Sequence, residues 1–355
     1  MESIEIKGYK SIKDIRVEFR PINILIGANG SGKSNFLSFF EFLNRLYEQK
    51  LTEYVALSGG EEKMLHKGSK VTGSIYSKIT FGQNAYSFEL KKGESSLIFT
   101  SEGLWYDNNP YSNNPIDITD NKCEARIKTH TVTRAKYILN YLTSLKKYHF
   151  HDTGKNSPFN TYSSCENDVY FLYEKGDNLA AFLYNIQKNH QLVYNRIIHT
   201  IQSIAPYFSD FYFQPNEAGF VRLLWQDKFS STLYGANDLS DGTIRFIALT
   251  TLFLQPNLPS TIIIDEPELG LHPFAIAKLA GMIQSVAARN VQVIVATQST
   301  ELVNHFEPED ILTVDQRDGE STFKRLEKTS LSDWLEEYSI GDLWQRNIIA
   351  TGQPN

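Results

Sequence analysis

The chain has 355 residues, 41% hydrophobic and 21% charged, with a net charge of −6 and a pI near 5.8. That supports a packed core in one large domain or two lobes, and any contact with DNA has to come from a local basic patch. Two cysteines, Cys123 and Cys165, with no C-x-x-C pair exclude a disulfide framework and read as thiols of a reducing compartment.

The first ten residues, MESIEIKGYK, start as a strand pattern with no apolar signal core, and no run approaches a membrane span. A cytoplasmic protein with no membrane partner is expected. Residues 3–7 and 12–19 alternate apolar and polar side chains, predicting a hairpin through Gly8-Tyr9-Lys10. After Pro21, the run Ile22–Ile26 predicts a buried strand. It leads into GANGSGKS, residues 27–34, and then a helix with Phe36, Leu37, Phe39, Phe40, Leu43 and Leu46 on a wide apolar face.

The spacing G-x-x-x-x-G-K-S between a strand and a helix is that of a phosphate-cradling loop. Glycines let backbone N–H groups close on phosphates, and a helix start adds unpaired amides and a positive dipole end. Lys33 would reach the β- and γ-phosphates and Ser34 would ligate Mg²⁺. The competing reading is an ordinary Gly/Ser turn; the strand before and the helix after count against it.

Residues 73–81, 85–90 and 97–99 predict an antiparallel meander with turns at Gly82-Gln83-Asn84 and Lys92-Gly93. Residues 107–122, rich in Asn, Pro and Asp, read as a surface loop or a partly disordered one. Asn121-Lys122-Cys123-Glu124 fails as a guanine-reading box, ending in Glu where Asp is needed and lacking a strand before it. Residues 124–147 predict a helix with Ile138, Leu139, Leu142 and Leu145 on one face, too short for a coiled-coil arm; no heptad array is sustained. Tyr148-His149-Phe150-His151 predicts a short strand with both histidines on one face and a turn at Asp152. A His-x-His metal site is the alternative, but no third and fourth ligands stand at suitable spacing. Amphipathic helices follow at 178–188 and 191–205, then strands at 208–213 and 219–225.

Asn237-Asp238-Leu239-Ser240-Asp241-Gly242-Thr243 precedes an apolar helix over 244–254, with Ser240 or Asp241 as its N-cap. Taken alone, this is a capped helix start. Then TIIIDEPE, residues 261–268, predicts a buried strand carrying two acids to its C-terminal end, the edge where α/β sheets bind ligands. There Asp265 is placed to hold Mg²⁺ through water and Glu266 to polarise an attacking water. Solvated acids at a strand end are the alternative. Pro273 opens a helix to about residue 289. A strand over 291–296 ends at Thr297-Gln298-Ser299; the Gln298 amide there reads as a simple helix cap or as a γ-phosphate sensor. A hairpin of 311–314 and 323–326 follows, then a helix capped at Ser330 with Asp333. The predicted organisation is an N-terminal lobe over 1–106, a loop and helical insertion over 107–205, and a C-terminal lobe over 206–355. The class is α/β, with a mixed central sheet and an antiparallel N-terminal β subdomain.

Four ordered elements, GANGSGKS, LSDGT, TIIIDEPELGLHP and VIVATQS, resemble the ATP-binding-cassette (ABC) ATPases of the RecF and structural-maintenance-of-chromosomes (SMC) type. The resemblance is closest to stand-alone AAA-family ATPases of bacteria, and YHFHDT, GDNLAAFLY and YSIGDLWQRN extend it over nearly the whole chain. It implies a P-loop NTPase fold of that type. Gly27, Asn29, Gly30, Ser31, Gly32, Lys33, Ser34 and Asn35 would form the Walker A loop around ATP, with Ser34 and Asp265 on Mg²⁺. Asp265 and Glu266 would form Walker B. Ser240 and Gly242 would be the signature touching the γ-phosphate of the partner subunit's ATP, and residues 268–272 the loop crossing the dimer interface. Lys33, Glu266 and Gln298 would be the catalytic set.

Gln298 stands where many cassette ATPases carry a switch histidine. An amide orients water but does not readily take a proton, which counts against fast, histidine-assisted turnover. No separate Q-loop glutamine is evident; the turn at Asp152 is the candidate for that place. Ser34 and Ser240 each open a helix, so a γ-phosphate between two such starts from different subunits would be clamped from both sides. The expected function is an ATP hydrolase cycling between an ATP-bound homodimer, or a higher oligomer, and an open form. Its motion would act on DNA or on a separate nuclease or other effector, in DNA repair or phage defence. The alternative is a slow or non-turnover ATP sensor gating a nuclease or toxin; no nuclease module is expected after the last strands. A transporter ATPase fits the long insertions and motif spelling less well. Lys67, Lys70, Lys91, Lys92, Lys146, Lys147 and Lys155 are local basic spots, read by default as solvated loops.

Overall fold

Two six-stranded sheets organise the chain, of which the computed structural model describes residues 1–93, 96–106 and 114–349. The core sheet runs Glu320–Arg325, Ile311–Arg317, Ile22–Ile26, Gln292–Ala296, Thr261–Asp265, Leu145–Tyr148. Its last five strands are parallel and Glu320–Arg325 is antiparallel, so the sheet is mixed. Parallel strands covered on both faces read as continuous apolar runs, and TIIID and QVIVA are of that kind.

The period-2 pleat divides these runs between two cores. Ile24, Ile26, Ile262, Ile264, Val293 and Val295 face the helices Asp241–Leu254 and Pro273–Ala287. Leu25, Ile263, Ile294 and Ala296 face the helix Lys33–Tyr47. That helix is covered on its other side by the antiparallel sheet Ile12–Glu18, Ser3–Tyr9, Ser74–Phe81, Asn84–Lys92, Leu97–Tyr106, Ile116–Asp117. Edge-to-face packing of Tyr9 on Phe39 at 5.1 Å anchors it there. This is the expected α/β architecture: a mixed central sheet with an antiparallel β subdomain.

In the core sheet, Asp265 pairs with Ala296, and Ala296 with Leu25. By that register three parallel strands end level, and the turns after them share one edge of the sheet.

Several expected elements fall differently. The helix expected over 124–147 is Thr133–Thr143 only. Leu145 belongs instead to the parallel edge strand Leu145–Tyr148, whose Lys146 and Lys147 conceal a strand pattern. That strand stops before the histidines, because the His149 N–H donates to Glu174 O at 2.8 Å. The rings of His149 and His151 still lie together, 4.2 Å apart. The strand expected over 219–225 is two: Phe220–Val221 pairs with Ser163–Ser164, and Leu224–Asp227 with Phe208–Tyr212. A further strand, Leu233–Gly235, comes next. The helix Lys328–Leu335 has no side-chain cap; the capping box is at Ser339 with Asp342. Of the expected 107–122 loop, 107–113 lie outside the described residues, and Ile116–Asp117 is an edge strand. No helix among the described residues is long and apolar enough to cross a membrane.

Candidate functional site

The loop 27–34 leaves the sheet at the end of Ile22–Ile26. Gly32 holds φ 110°, a left-handed conformation that favours glycine. A β-carbon there would collide with the Ser321 hydroxyl, and one on Gly27 with the Val314 carbonyl oxygen. The helix Lys33–Tyr47 starts with no side-chain cap and no acid in its first turn. Its first amides thus keep an anion site of the kind helix starts provide. Lys33 is buried, and its Nζ donates to Gly27 O at 2.6 Å and Ala28 O at 3.0 Å. Burial pushes its pKa down, while Glu266 and Asp265 oppose that shift. Asn29 and Gly30 are exposed at the tip, as is Ser34 at the helix start.

Ser31 Oγ is buried with no hydrogen-bond partner. A buried orphan hydroxyl inside a glycine loop fits a phosphate oxygen as its missing partner. The loop is braced by two residues that its motif does not include. Asn35 Nδ2 donates to Ser11 Oγ at 2.9 Å, and Ser321 Oγ donates to Ser31 O at 2.7 Å and lies 2.8 Å from Ser11 Oγ. Ser11 ends the first hairpin's turn and Ser321 lies on the last strand, so only tertiary contact reveals them.

Asp265 ends its strand, and its carbonyl is 2.8 Å from His151 Nε2. Burial raises the Asp265 carboxyl; Glu266 adds to this, and Lys147, His151 and Lys33 counter it. Glu266 sits at φ 42°, a sparsely populated conformation for glutamate, with its N–H donating to Ala296 O at 2.8 Å. Its Oε1 accepts from the Gln298 side-chain amide. Glu268 turns inward: Oε1 accepts from the Thr297 hydroxyl at 2.5 Å and from the Gln298 N–H at 3.3 Å. Burial raises its pKa, and its Oε2 has no partner. The Thr297 N–H donates to Leu25 O at 3.0 Å, linking this cluster to the loop strand.

Ser240, the N-cap of Asp241–Leu254, accepts from the Thr243 N–H at 3.2 Å and is itself exposed. Gly242 packs so closely on Gly270 that a β-carbon would collide with the Gly270 carbonyl oxygen. Ser240, Gly242, Gly270, His272 and Phe274 line a cavity of about 160 Å³ that the phosphate loop does not reach. The structure thus gathers Lys33, Asp265, Glu266 and Gln298 at one sheet edge and leaves Ser240 and Gly242 on a different, outward-facing cavity.

The Asp152 turn is self-contained, with Asp152 Oδ1 on the Gly154 N–H at 3.3 Å and Asp152 O on the Ser157 hydroxyl at 2.6 Å. Its neighbour His151, not Asp152, reaches the acid strand. The donors available to a metal, the Ser34 hydroxyl and Asp265 carboxylate, are hard oxygens that suit Mg²⁺ completed by phosphates and water. Among the described residues, no three His, Cys, Asp or Glu side chains cluster as metal ligands. Of the basic spots, Lys67 pairs with Glu320 at 3.3 Å, Lys92 with Glu62 at 2.5 Å and Lys147 with Glu41 at 3.3 Å.

The fold is that of the ABC and SMC-like ATPases. A family model described as "AAA domain, putative AbiEii toxin, Type IV TA system" matches residues 22–304, and the chain belongs to that family. Two curated proteins are similar over a short stretch. One is Urease accessory protein 2 of Cryptococcus neoformans var. grubii, 36% identical over 104 residues. The other is Chromosome segregation protein sudA of Emericella nidulans, 36% identical over 103 residues. Each match covers 27% of this chain and only 8% of that protein. Among solved structures, an Smc head bound to the C-winged helix domain of ScpA superposes with TM-score 0.62 at 16% identity, covering 93% of this chain and 98% of that one. An Smc head with an extended coiled coil, bound to the C-terminal domain of ScpA derived from Pyrococcus furiosus, gives 0.57 at 15%, covering 95% and 98%. At these identities the likeness is one of fold.

Proposed function

We propose that this chain binds and slowly hydrolyses ATP with Mg²⁺, as a cytoplasmic ATPase whose active form is an ATP-sandwiched homodimer. The observation that carries this is the convergence of Lys33, Asp265, Glu266 and Gln298 at one sheet edge. The glycine loop and the amides at the start of Lys33–Tyr47 would cradle the phosphates. Lys33 would turn from the Gly27 and Ala28 carbonyls to a phosphate oxygen. Ser34 and Asp265 would hold Mg²⁺, which supplies neutralisation of phosphate charge.

Glu266 would polarise the attacking water while Gln298 holds its carboxylate in place. The Gln298 amide accepts no proton, so turnover is slow and the ATP-bound state long-lived. Exposed Ser240 would complete the partner chain's site, and hydrolysis would release the pair. The three-part division at 106 and 205 belongs to this reading, with the signature in the C-terminal lobe.

The compared Smc heads are bound to domains of ScpA. By analogy we assign this chain a separate protein effector, a nuclease or toxin in phage defence or DNA repair. DNA ranks second, because Lys67, Lys92 and Lys147 are engaged by acids. The second reading, a non-turnover ATP sensor, draws on the Gln298–Glu266 bond. Phosphate release separates the two: the proposal expects release well above a Lys33→Ala control, and release equal to that control leaves the sensor.

A further inference from the structure

Arg245 lies in the helix that Ser240 caps and is 4% exposed. Among the described residues, no carboxylate stands within ion-pair distance of it. Its guanidinium instead serves three backbone carbonyls. Nε donates to Phe150 O at 3.0 Å, Nη2 to His151 O at 3.2 Å, and Nη1 to Leu269 O. Burial disfavours this charge and the Asp241 carboxylate, one turn earlier on the same helix, opposes that; with no direct ion pair, the guanidinium is satisfied by several carbonyl dipoles in a fixed geometry. The planar five-donor fork of arginine can span three carbonyls from two segments; a lysine ammonium is a point donor.

The contacts form a continuous chain. Asp265 O meets His151 Nε2 at 2.8 Å, and the His151 carbonyl meets Arg245. Arg245 holds Leu269 O, and a β-carbon on Gly270 would sit 3.0 Å from Nη1. Gly270 in turn abuts Gly242, beside Ser240. The links from Asp265 through His151 and Arg245 to Leu269 are hydrogen bonds, and the Gly242–Gly270 contact leaves no room for a methyl group.

We infer that Arg245 is a positioning residue, which fixes Ser240 and the 268–272 turn as one unit and ties that unit to the Asp265 end of the chain's own nucleotide site. A chain's own ATP would thereby set the surface it offers to its partner's ATP. This rests on the homodimer reading of the function. Arg245 touches no substrate.

The test uses Glu266→Gln with ATP and Mg²⁺, sized with and without Arg245→Met. The inference expects Arg245→Met to weaken ATP-induced dimerisation at least about tenfold, while a fluorescent ATP analogue binds the monomer within about threefold of wild type. Arg245→Lys, with charge but no fork, restores little. A residue that only supports folding would lower both quantities together. Failure of Glu266→Gln itself to dimerise overturns the dimer reading. A Glu266→Gln dimer that Arg245→Met leaves unchanged overturns this inference alone. Should Arg245→Met not fold, hydrogen exchange on the dimer-blocked Ser240→Arg chain decides. ATP and Mg²⁺ should slow exchange at 240–245 and 268–272 as well as at 27–35; protection confined to 27–35 overturns the inference.

Discussion

The Gln298 side-chain amide donates to Oε1 of Glu266, whose own backbone is left-handed at φ 42°. The carboxylate proposed to activate water is thus aimed by a neutral group that cannot relay a proton. Gln298→Ala should lower kcat for ATP about tenfold to hundredfold, with KM within about threefold, because orientation rather than binding is lost. Gln298→His should add to the rate profile a limb near pH 6.5, about the ordinary imidazole pKa, that wild type lacks. Steady-state phosphate release across pH measures both. An unchanged kcat for Gln298→Ala would remove Gln298 from the mechanism.

In the proposed dimer, two glycines would separate nucleotide binding from subunit pairing. Gly32→Ala meets the Ser321 hydroxyl and a left-handed backbone at once. It should cost about 1–3 kcal/mol of stability and abolish ATP binding. Gly242→Ala meets the Gly270 carbonyl oxygen, far from the loop. It should keep ATP binding by the monomer and lose ATP-induced pairing. Calorimetric titration with ATP, followed by sizing, distinguishes the two. Loss of monomer binding in Gly242→Ala would contradict the separation.

Burial raises the Glu268 carboxyl above its ordinary range. Its folded pKa exceeds the unfolded value of about 4.3, so its contribution to stability is full below that value and is lost as pH rises through the folded one. Glu268→Gln does not titrate. It should melt about 1–3 °C above wild type at pH 8, with the gap closing toward pH 4. Melting curves across pH test this; a gap of opposite sign at pH 8 would show that the ionised form is favoured.

Much of the fold was legible because its signals are local. The hairpin from Ser3, the loop strand Ile22–Ile26, the acid strand Thr261–Asp265 and their helices all carry strong periodicity or motif spacing. Leu145–Tyr148 was not legible, because an edge strand with Lys146 and Lys147 shows neither helical nor clean strand alternation. The capping box at Ser339 escaped in favour of Ser330, since both show the same spacing and only packing chooses between them. At the site, the loop residues and the acids announce themselves by motif. Ser11, Ser321, His151 and Arg245 do not, because each acts through a contact distant in sequence.

In the proposed cycle two copies close around shared ATP, each lending its exposed Ser240 to the other's phosphate loop. Light scattering on Glu266→Gln at several protein concentrations, with ATP and Mg²⁺ and with Lys33→Ala/Glu266→Gln as control, measures this directly. Twice the monomer mass is predicted for Glu266→Gln with ATP, and monomer for the control. A monomer in both would contradict the shared-ATP dimer.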